Sequence, residues 1–237
     1  MSIKVVLFDL DGTLLPMDLD VFVKDYFGRL ARKIAPHGSE PEQLVKAIWQ
    51  GTAAMVKNDG TKKNEQAFWD KFTEIYGKEA LNDVPYFDEF YKEEFDKVSA
   101  SCGYNASSAK IISKIKNAGI RVALATNPIF PAIATEFRMK WAGLSKDDFE
   151  LYTTYENSRF CKPNVKYYED IISALGVNAD ECLMVGNDVR EDMIAQTLGM
   201  SVFLLTDCLI NKDEKDISIY PNGGFDELNA FIDKIIG

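Results

Sequence analysis

The sequence predicts an α/β fold, a doubly wound parallel sheet with a helical domain inserted near its start, and three observations carry that expectation. Short apolar runs rich in β-branched residues recur without polar alternation, the pattern of strands buried on both faces. The later runs each follow a helix-like segment closing near a glycine, at Gly119, Gly176 and Gly199, which is the strand-helix alternation of a parallel sheet. Between the first run and the second, residues 18–102 carry aromatic and aliphatic side chains at helical spacing and no convincing strand.

The first strand is expected over residues 3–8, ending abruptly at Asp9. In the insert, Val23, Phe27, Leu30 and Ile34 share one helical face. Ser39 with Glu42 forms a plausible capping box for a second helix carrying Leu44, Ile48 and Met55. Two more helices run through Phe68, Phe72 and Ile75, and through Phe87, Phe90, Tyr91 and Phe95. The aromatic density, Trp49 and Trp69 included, offers a hydrophobic substrate pocket as one reading, and core packing as the favoured one, because a small helical bundle must bury large side chains to be stable. These patterns divide the chain into a helical insert at 17–103 and an α/β core made of 1–16 and 104–237. Within the core, strands are expected at 121–125, 181–185 and 201–205, and a helix at 165–175. Residues 212–224 are polar and turn-rich, and an amphipathic helix over 225–236 should pack on the core.

Composition narrows the function. With 237 residues, 46% of them hydrophobic, the chain can bury one large core or a core with a smaller companion. No apolar run approaches the roughly 18 residues of a membrane span, and the start lacks the length and flanks of a secretion signal, so a soluble cytoplasmic protein without a membrane partner is expected. Cys102, Cys161, Cys182 and Cys208 are scattered, with no C-x-x-C pair or histidine cluster to complete a zinc site, and are expected to be reduced. Cys161 is read as a loop or packing residue. The formal charge of −10, from 37 acidic and 27 basic residues, repels nucleic acid, and no basic block offsets it. An anionic substrate would have to meet local positive charge from a metal, a lysine or helix N-termini. The single histidine, His37, lies in a turn-like P-H-G-S stretch and is read as a solvated loop residue. Serine or cysteine mechanisms thus lack their usual base and imidazole metal sites are excluded, leaving carboxylates to do the chemistry.

Asp9 and Asp11 stand in F-D-L-D-G-T-L at the end of the first strand, where i, i+2 spacing in extended backbone points both the same way. One carboxylate can bind a metal and attack an electrophile while the other, protonated, donates to a leaving group. Gly12 lets the chain turn without a side chain obstructing the ligand. Thr126 ends the second strand in L-A-T-N, where its hydroxyl and the Asn127 N–H could hold an anionic oxygen. Lys162 lies in C-K-P-N just before a helix, and residues 186–192 (GNDVRED) follow the strand ECLMV with further carboxylates. Ligands of open α/β sheets bind outside the carboxyl ends of the strands, so these elements can converge.

With these four motifs in this order along the whole chain, the sequence resembles the phosphatases of the haloacid dehalogenase superfamily. These carry D-x-D-G-T, a Thr or Ser ending the second strand, a Lys, and a terminal acidic motif. The resemblance implies that Asp9 is a nucleophile forming an aspartyl-phosphate, Asp11 the general acid and base, Thr126 and Lys162 phosphate ligands, and Asp188 a magnesium ligand. It also implies that the insert is a cap closing over the site and selecting a small phosphorylated metabolite. Mg²⁺ suits oxygen ligands from Asp9, the Asp11 carbonyl and Asp188. The sequence departs from the pattern in one place: Asn187 directly follows Gly186, where many relatives have their first acidic ligand, and the acid has moved to Asp188. Asp188 is expected to touch the metal, with Asp192, a turn further along a helix, orienting a metal-bound water or pairing with Lys162. Metal-free dehalogenases of the superfamily lack the second aspartate of D-x-D, so Asp11 favours phosphoryl transfer, with a phosphomutase or a non-catalytic phosphate-binding protein as alternatives.

Overall fold

The computed structural model describes residues 2–34, 41–77, 82 and 84–237. Strands β1 (Val5–Phe8), β2 (Arg121–Leu124), β3 (Leu151–Tyr152), β4 (Cys182–Gly186), β5 (Ser201–Leu205) and β6 (Asn222–Gly223) form one sheet in the order β3-β2-β1-β4-β5-β6. All neighbours are parallel. Phe8 pairs with Leu124 on one side and Val185 on the other, so β1 lies where the strand order reverses, the position at which such sheets open a ligand crevice.

The continuous apolarity of β1 follows from its two covered faces, because successive side chains point to opposite sides. Val6 and Phe8 pack with Ile111 and Ile115 of α5 (Ala106–Asn117) and with Leu228 and Ile232 of α8 (Phe225–Ile236). Val5 and Leu7 pack with Tyr168 and Ile171 of α7 (Val165–Leu175). Asn105 and Asn164 start α5 and α7 by accepting from the N–H groups of Ser107 and Lys166 at 2.9 and 3.1 Å, each satisfying a donor that the first helical turn leaves unpaired.

Among the described residues, β1 is followed by α1 (Leu19–Ile34), α2 (Pro41–Val56), α3 (Asn64–Tyr76) and α4 (Val84–Glu89). Their aromatic core extends onto α6 (Ala132–Trp141), the helix after β2, through Ala134, Phe137 and Trp141. The chain leaves and re-enters the α/β layer side by side, with Met17 bridged to Cys102 and Gly103 N–H donating to Pro16 O at 2.7 Å. Asn64, wholly buried, ties α3 to the core: its amide nitrogen donates to Pro128 O at 3.2 Å and to Cys161 Sγ at 3.3 Å. Among the described residues, no helix is long and apolar enough to cross a membrane.

Several local expectations need correction. The first strand begins at Val5, the second ends at Leu124, and the fourth spans Cys182–Gly186, with Glu181 in a preceding 3₁₀ turn. The two-residue strands β3 and β6 carry too short a pattern to read. On α1 the buried face is Phe22, Tyr26, Leu30 and Ile34; Val23 and Phe27 are only half-buried and border a cavity. Ile75 is exposed, and Trp49 is 50% exposed rather than packed in the core, whereas Trp69 packs against Phe68, Phe72 and Phe87. The segment through Phe87, Phe90, Tyr91 and Phe95 is not one α-helix: α4 passes into a π turn over Phe90–Glu94 and a 3₁₀ helix over Phe95–Ser101. Phe95 N–H bonds to Phe90 O, an i+5 step, and both rings are fully buried. The segment after β4 forms turns and a 3₁₀ helix (Met193–Leu198), with Asp192 as its N-cap and no α-helix begun. His37 and Ser39, and with Ser39 the capping box, lie outside the described residues.

Phe95 contacts Tyr26, Phe90, Tyr91, Phe137 and Trp141 at ring separations of 5.2–6.2 Å. Phe95→Ala should destabilise the helical layer by about 3–5 kcal/mol, measured by urea unfolding. A change below about 1 kcal/mol would show that this ring is not central to the layer.

Candidate active site

The site starts where β1 stops. Asp9 N–H donates to Val185 O at 2.9 Å, carrying the sheet pairing one residue past Phe8 and fixing the Asp9 backbone. The chain then folds back tightly, with Leu15 and Thr13 N–H groups converging on Leu10 O at 2.8 and 3.2 Å and Gly12 N–H on Leu15 O at 2.8 Å. The Asp9 carboxylate is gripped from two sides: Lys162 Nζ donates to Oδ1 at 2.8 Å and Thr13 Oγ1 to Oδ2 at 3.2 Å.

Gly12 has φ +83°, and a Cβ there would lie 2.3 Å from Asn187 Nδ2. The glycine therefore makes room for the Asn187 amide, and it also borders the cavity. Asn187 is buried; its Oδ1 accepts from Thr13 at 3.0 Å and its Nδ2 donates to Cys208 O at 2.6 Å. A close approach of the same kind occurs at Gly186, where a Cβ would meet the Asp192 carboxyl at 2.2 Å. Asp192 is buried, accepting from Lys162 Nζ on Oδ1 at 2.6 Å and from Asp188 N–H on Oδ2 at 2.9 Å. Both its oxygens are thus engaged. Asp188 stands nearer the opening, its Oδ1 accepting from the N–H groups of Arg190 and Glu191 at 2.7 and 2.9 Å.

Thr126 is held by its carbonyl, which accepts from Thr153 Oγ1 at 2.6 Å and Tyr167 OH at 2.8 Å. Asn127 Nδ2 donates to Glu191 Oε2 at 2.9 Å, and its Oδ1 is buried without a partner among the described residues. Asp9, Asp11, Thr126, Asn127, Asn187, Asp188 and Asp192 all border one cavity of about 710 Å³, and Lys162 reaches its edge through Asp9. The sequence motifs converge at the carboxyl ends of β1, β2 and β4.

Three polar partners in the site were not anticipated from sequence. Arg138 of α6, with no exposed surface, forms an ion pair with Asp11 Oδ2, donates to Thr135 Oγ1, and stacks its guanidinium 4.5 Å from the Phe130 ring. A single arginine in an amphipathic helix ordinarily points to solvent, so no pattern marks it. Glu191 and Thr13 lie inside quoted motifs, yet their partners come from distant segments.

Opposing influences act on Asp11, and the net direction of its pKa is upward. Burial raises its pKa, Arg138 opposes, and the neighbouring Asp9 charge raises it further. For Lys162, burial alone would favour the neutral amine, but Asp192 and Asp9 together hold the ammonium well above its usual range. Cys161 is buried, which pushes its thiol up to about 12 and makes it inert, as expected of a packing residue.

Hard oxygen donors for a cation are present in Asp9, Asp188, the Asn187 amide and the Asp11 carbonyl, which no backbone N–H of the turn uses. Among the described residues, no three acidic, thiol or imidazole side chains gather closely enough to hold an ion by themselves. One or two carboxylates, retained waters and a substrate phosphate is the usual coordination of Mg²⁺, and this donor set fits it.

A family model described as haloacid dehalogenase-like hydrolase matches residues 3–195. Among solved structures, the chain is similar to an HAD phosphatase from Thermococcus onnurineus, at 18% identity, 97% and 98% coverage of the two chains and a TM-score of 0.58. It is also similar to a predicted phosphoglycolate phosphatase from Haemophilus somnus, at 14% identity, 98% and 99% coverage and 0.59. The L-2-haloacid dehalogenase RSc1362 is matched at 16% identity, 98% and 100% coverage and 0.57. At these identities the likeness is one of fold. No curated protein matches the sequence.

Glu191 gives the site a pH signature. Burial pushes its carboxyl from 4.5 up to about 7, Lys162 opposing and Asp188 and Asp9 adding to the rise. Between these values the folded chain keeps a proton that the unfolded chain has released, so stability falls as pH rises from 4.5 through 7. In chelator, wild type should lose up to roughly 3 kcal/mol relative to Glu191→Gln between pH 5 and pH 8. Denaturation curves at the two pH values check this, and parallel pH dependence in both proteins would contradict it.

Proposed function

We propose that this chain, which belongs to the haloacid dehalogenase-like hydrolase family, is a magnesium-dependent phosphatase that hydrolyses a small phosphorylated metabolite through an aspartyl-phosphate on Asp9. In this reading residues 1–16 and 104–237 are the catalytic core and 17–103 the cap. The observation that carries the reading is Asp11: a second carboxyl, two residues from Asp9, with a raised pKa and anchored by Arg138. A departing halide needs no proton, whereas an alkoxide leaving phosphorus does, so a second carboxyl able to exchange a proton at this position favours ester hydrolysis over dehalogenation.

In the proposed reaction, a carboxylate oxygen of Asp9 forms a bond to phosphorus as the ester P–O bond breaks, and Asp11 delivers its proton to the departing oxygen. Asp11 then takes a proton from water as that water's oxygen bonds to phosphorus and the acyl P–O bond breaks, returning Asp9 to its carboxylate. Lys162 and Thr13 orient Asp9 throughout. Thr126, the Asn127 N–H and Lys162 are the groups we assign to the phosphate oxygens. Asp9, Asp188 and the Asp11 carbonyl would hold Mg²⁺, with the Asn187 amide turned toward Thr13 as an adjoining support and Asp192 holding Lys162. When bound, the ion offsets the negative charge of nucleophile and phosphate as they approach. That need is plain here: Asp9, Asp11, Asp188, Glu191 and Asp192 border the cavity, while Lys162 and Arg138 are already paired to them.

Asp9→Asn keeps the shape that Lys162 and Thr13 grip but is no longer a nucleophile. It should fold normally and lose turnover of any phosphomonoester, and retention of more than about a tenth of kcat, under 1.4 kcal/mol in barrier, would remove Asp9 from this role. Chelation of Mg²⁺ should abolish wild-type turnover and readdition restore it.

Asp11→Asn should slow alkyl phosphates by about 10²- to 10⁴-fold and aryl phosphates, whose leaving groups need less protonation, by clearly less. Equal losses in steady-state kcat for the two classes would argue against proton delivery by Asp11.

A further inference from the structure

Resting on that phosphatase reading, we infer that the group esterified to the phosphate is uncharged and apolar, an alkyl or aromatic alcohol rather than a sugar, a carboxylate-bearing acid or a nucleotide. The cavity above Asp9 is far larger than a phosphate group, at about 710 Å³, and lies within the usual size range of pockets for small organic ligands. Its far wall is hydrocarbon: Val23 and Phe27 from α1, Ile48 and Trp49 from α2, with Ile129 and Phe130 beside β2.

The hydroxyls beside that wall already bond within the protein. The Tyr26 and Tyr91 hydroxyls share a hydrogen bond of 2.8 Å, and Thr52 Oγ1 donates to Ile48 O at 3.0 Å. Each is already tied to the protein, so the several hydroxyls of a sugar would find few free partners on this wall, and burying unpaired hydroxyls is unfavourable. Charge points the same way. Among the described residues, Lys212 is the one cation bordering the cavity, and it is exposed; Asp18 and Asp20, both exposed, also border it. A second anionic group on the substrate would meet these carboxylates, while the buried cations Lys162 and Arg138 are already paired.

Trp49 adds an independent observation. It is 50% exposed, and its ring packs 5.2 Å from Phe27, which is itself only half-buried. Two adjoining aromatic rings left open to a cavity are surface that a hydrocarbon ligand would remove from water.

The test uses the full chain with Mg²⁺ and two series. In the first, kcat/KM is measured for alkyl phosphates from methyl to hexyl, whose leaving groups differ little in acidity, and for glycerol 3-phosphate and phosphoglycolate. In the second, calorimetry gives Kd for methyl- to hexylphosphonate and for phosphonoacetate, which cannot be hydrolysed. Each added methylene should raise kcat/KM and lower Kd about fourfold until the cavity is filled, and phosphonoacetate should bind more weakly than propylphosphonate. Trp49→Ala should weaken hexylphosphonate about tenfold or more and leave methylphosphonate where it was. A flat phosphonate series, or tighter binding of phosphonoacetate, overturns the inference even if every ester is hydrolysed. A graded phosphonate series with no ester turned over supports the apolar pocket and sinks the phosphatase reading instead.

Discussion

The Lys162 ammonium, almost wholly buried, lies 2.8 Å from Asp9 Oδ1 and 2.6 Å from Asp192 Oδ1, and the rest of the site is arranged around this triad. It joins three segments far apart in sequence: the end of β1, the loop before α7, and the turn after β4. A buried charge is tolerated only when paired and hydrogen-bonded, so the triad forms as a unit. Asp192 accepts from Lys162 with one oxygen and from the Asp188 N–H with the other. That second bond places Asp188, through its backbone, relative to the same ammonium. The shared cation holds the Asp9 carboxylate in one orientation.

A second ion pair couples the site to the helical layer. Arg138 belongs to α6, whose Ala134, Phe137 and Trp141 take part in the aromatic cluster of the insert. The guanidinium stacks on Phe130 and reaches Asp11 from that side. The carboxyl that would handle protons is therefore positioned by a residue packed against the insert, whereas the carboxylate that would attack is positioned by the sheet. Any rearrangement of the helical layer over the site would be felt first at Asp11.

Much of this architecture was legible in the sequence because its causes are local. A strand covered on both faces must be apolar at every position, so β1, β4 and β5 stand out as continuous runs, and helix ends at Asn164 and Gly176 follow from capping chemistry. Asp9, Asp11, Thr126, Lys162 and Asp188 could be located because each ends a strand or precedes a helix. What escaped depends on distant partners. Helical periodicity shows that α1 has an apolar side but not that Phe22 and Tyr26 face the core while Val23 and Phe27 border the cavity. The aromatic content of the insert reads chiefly as packing, with a hydrophobic substrate pocket as the lesser reading, and periodicity does not show that Trp49 is the open ring. Arg138 looks like any basic residue of an amphipathic helix until α6 is placed against Asp11. Gly12 reads as a turn residue from its place in the motif, but the side chain that its missing Cβ accommodates, Asn187, is 175 positions away.

The account stands or falls on a covalent bond at Asp9. Wild-type protein mixed with an alkyl phosphate and Mg²⁺, stopped in acid during turnover and reduced with borohydride, should yield homoserine at position 9, the product of reducing an aspartyl-phosphate, detected by mass spectrometry of the peptide spanning β1. Homoserine at position 9 only when substrate is present is the predicted result. Turnover in progress with an unmodified Asp9, or with the reduced residue elsewhere in the chain, would contradict it.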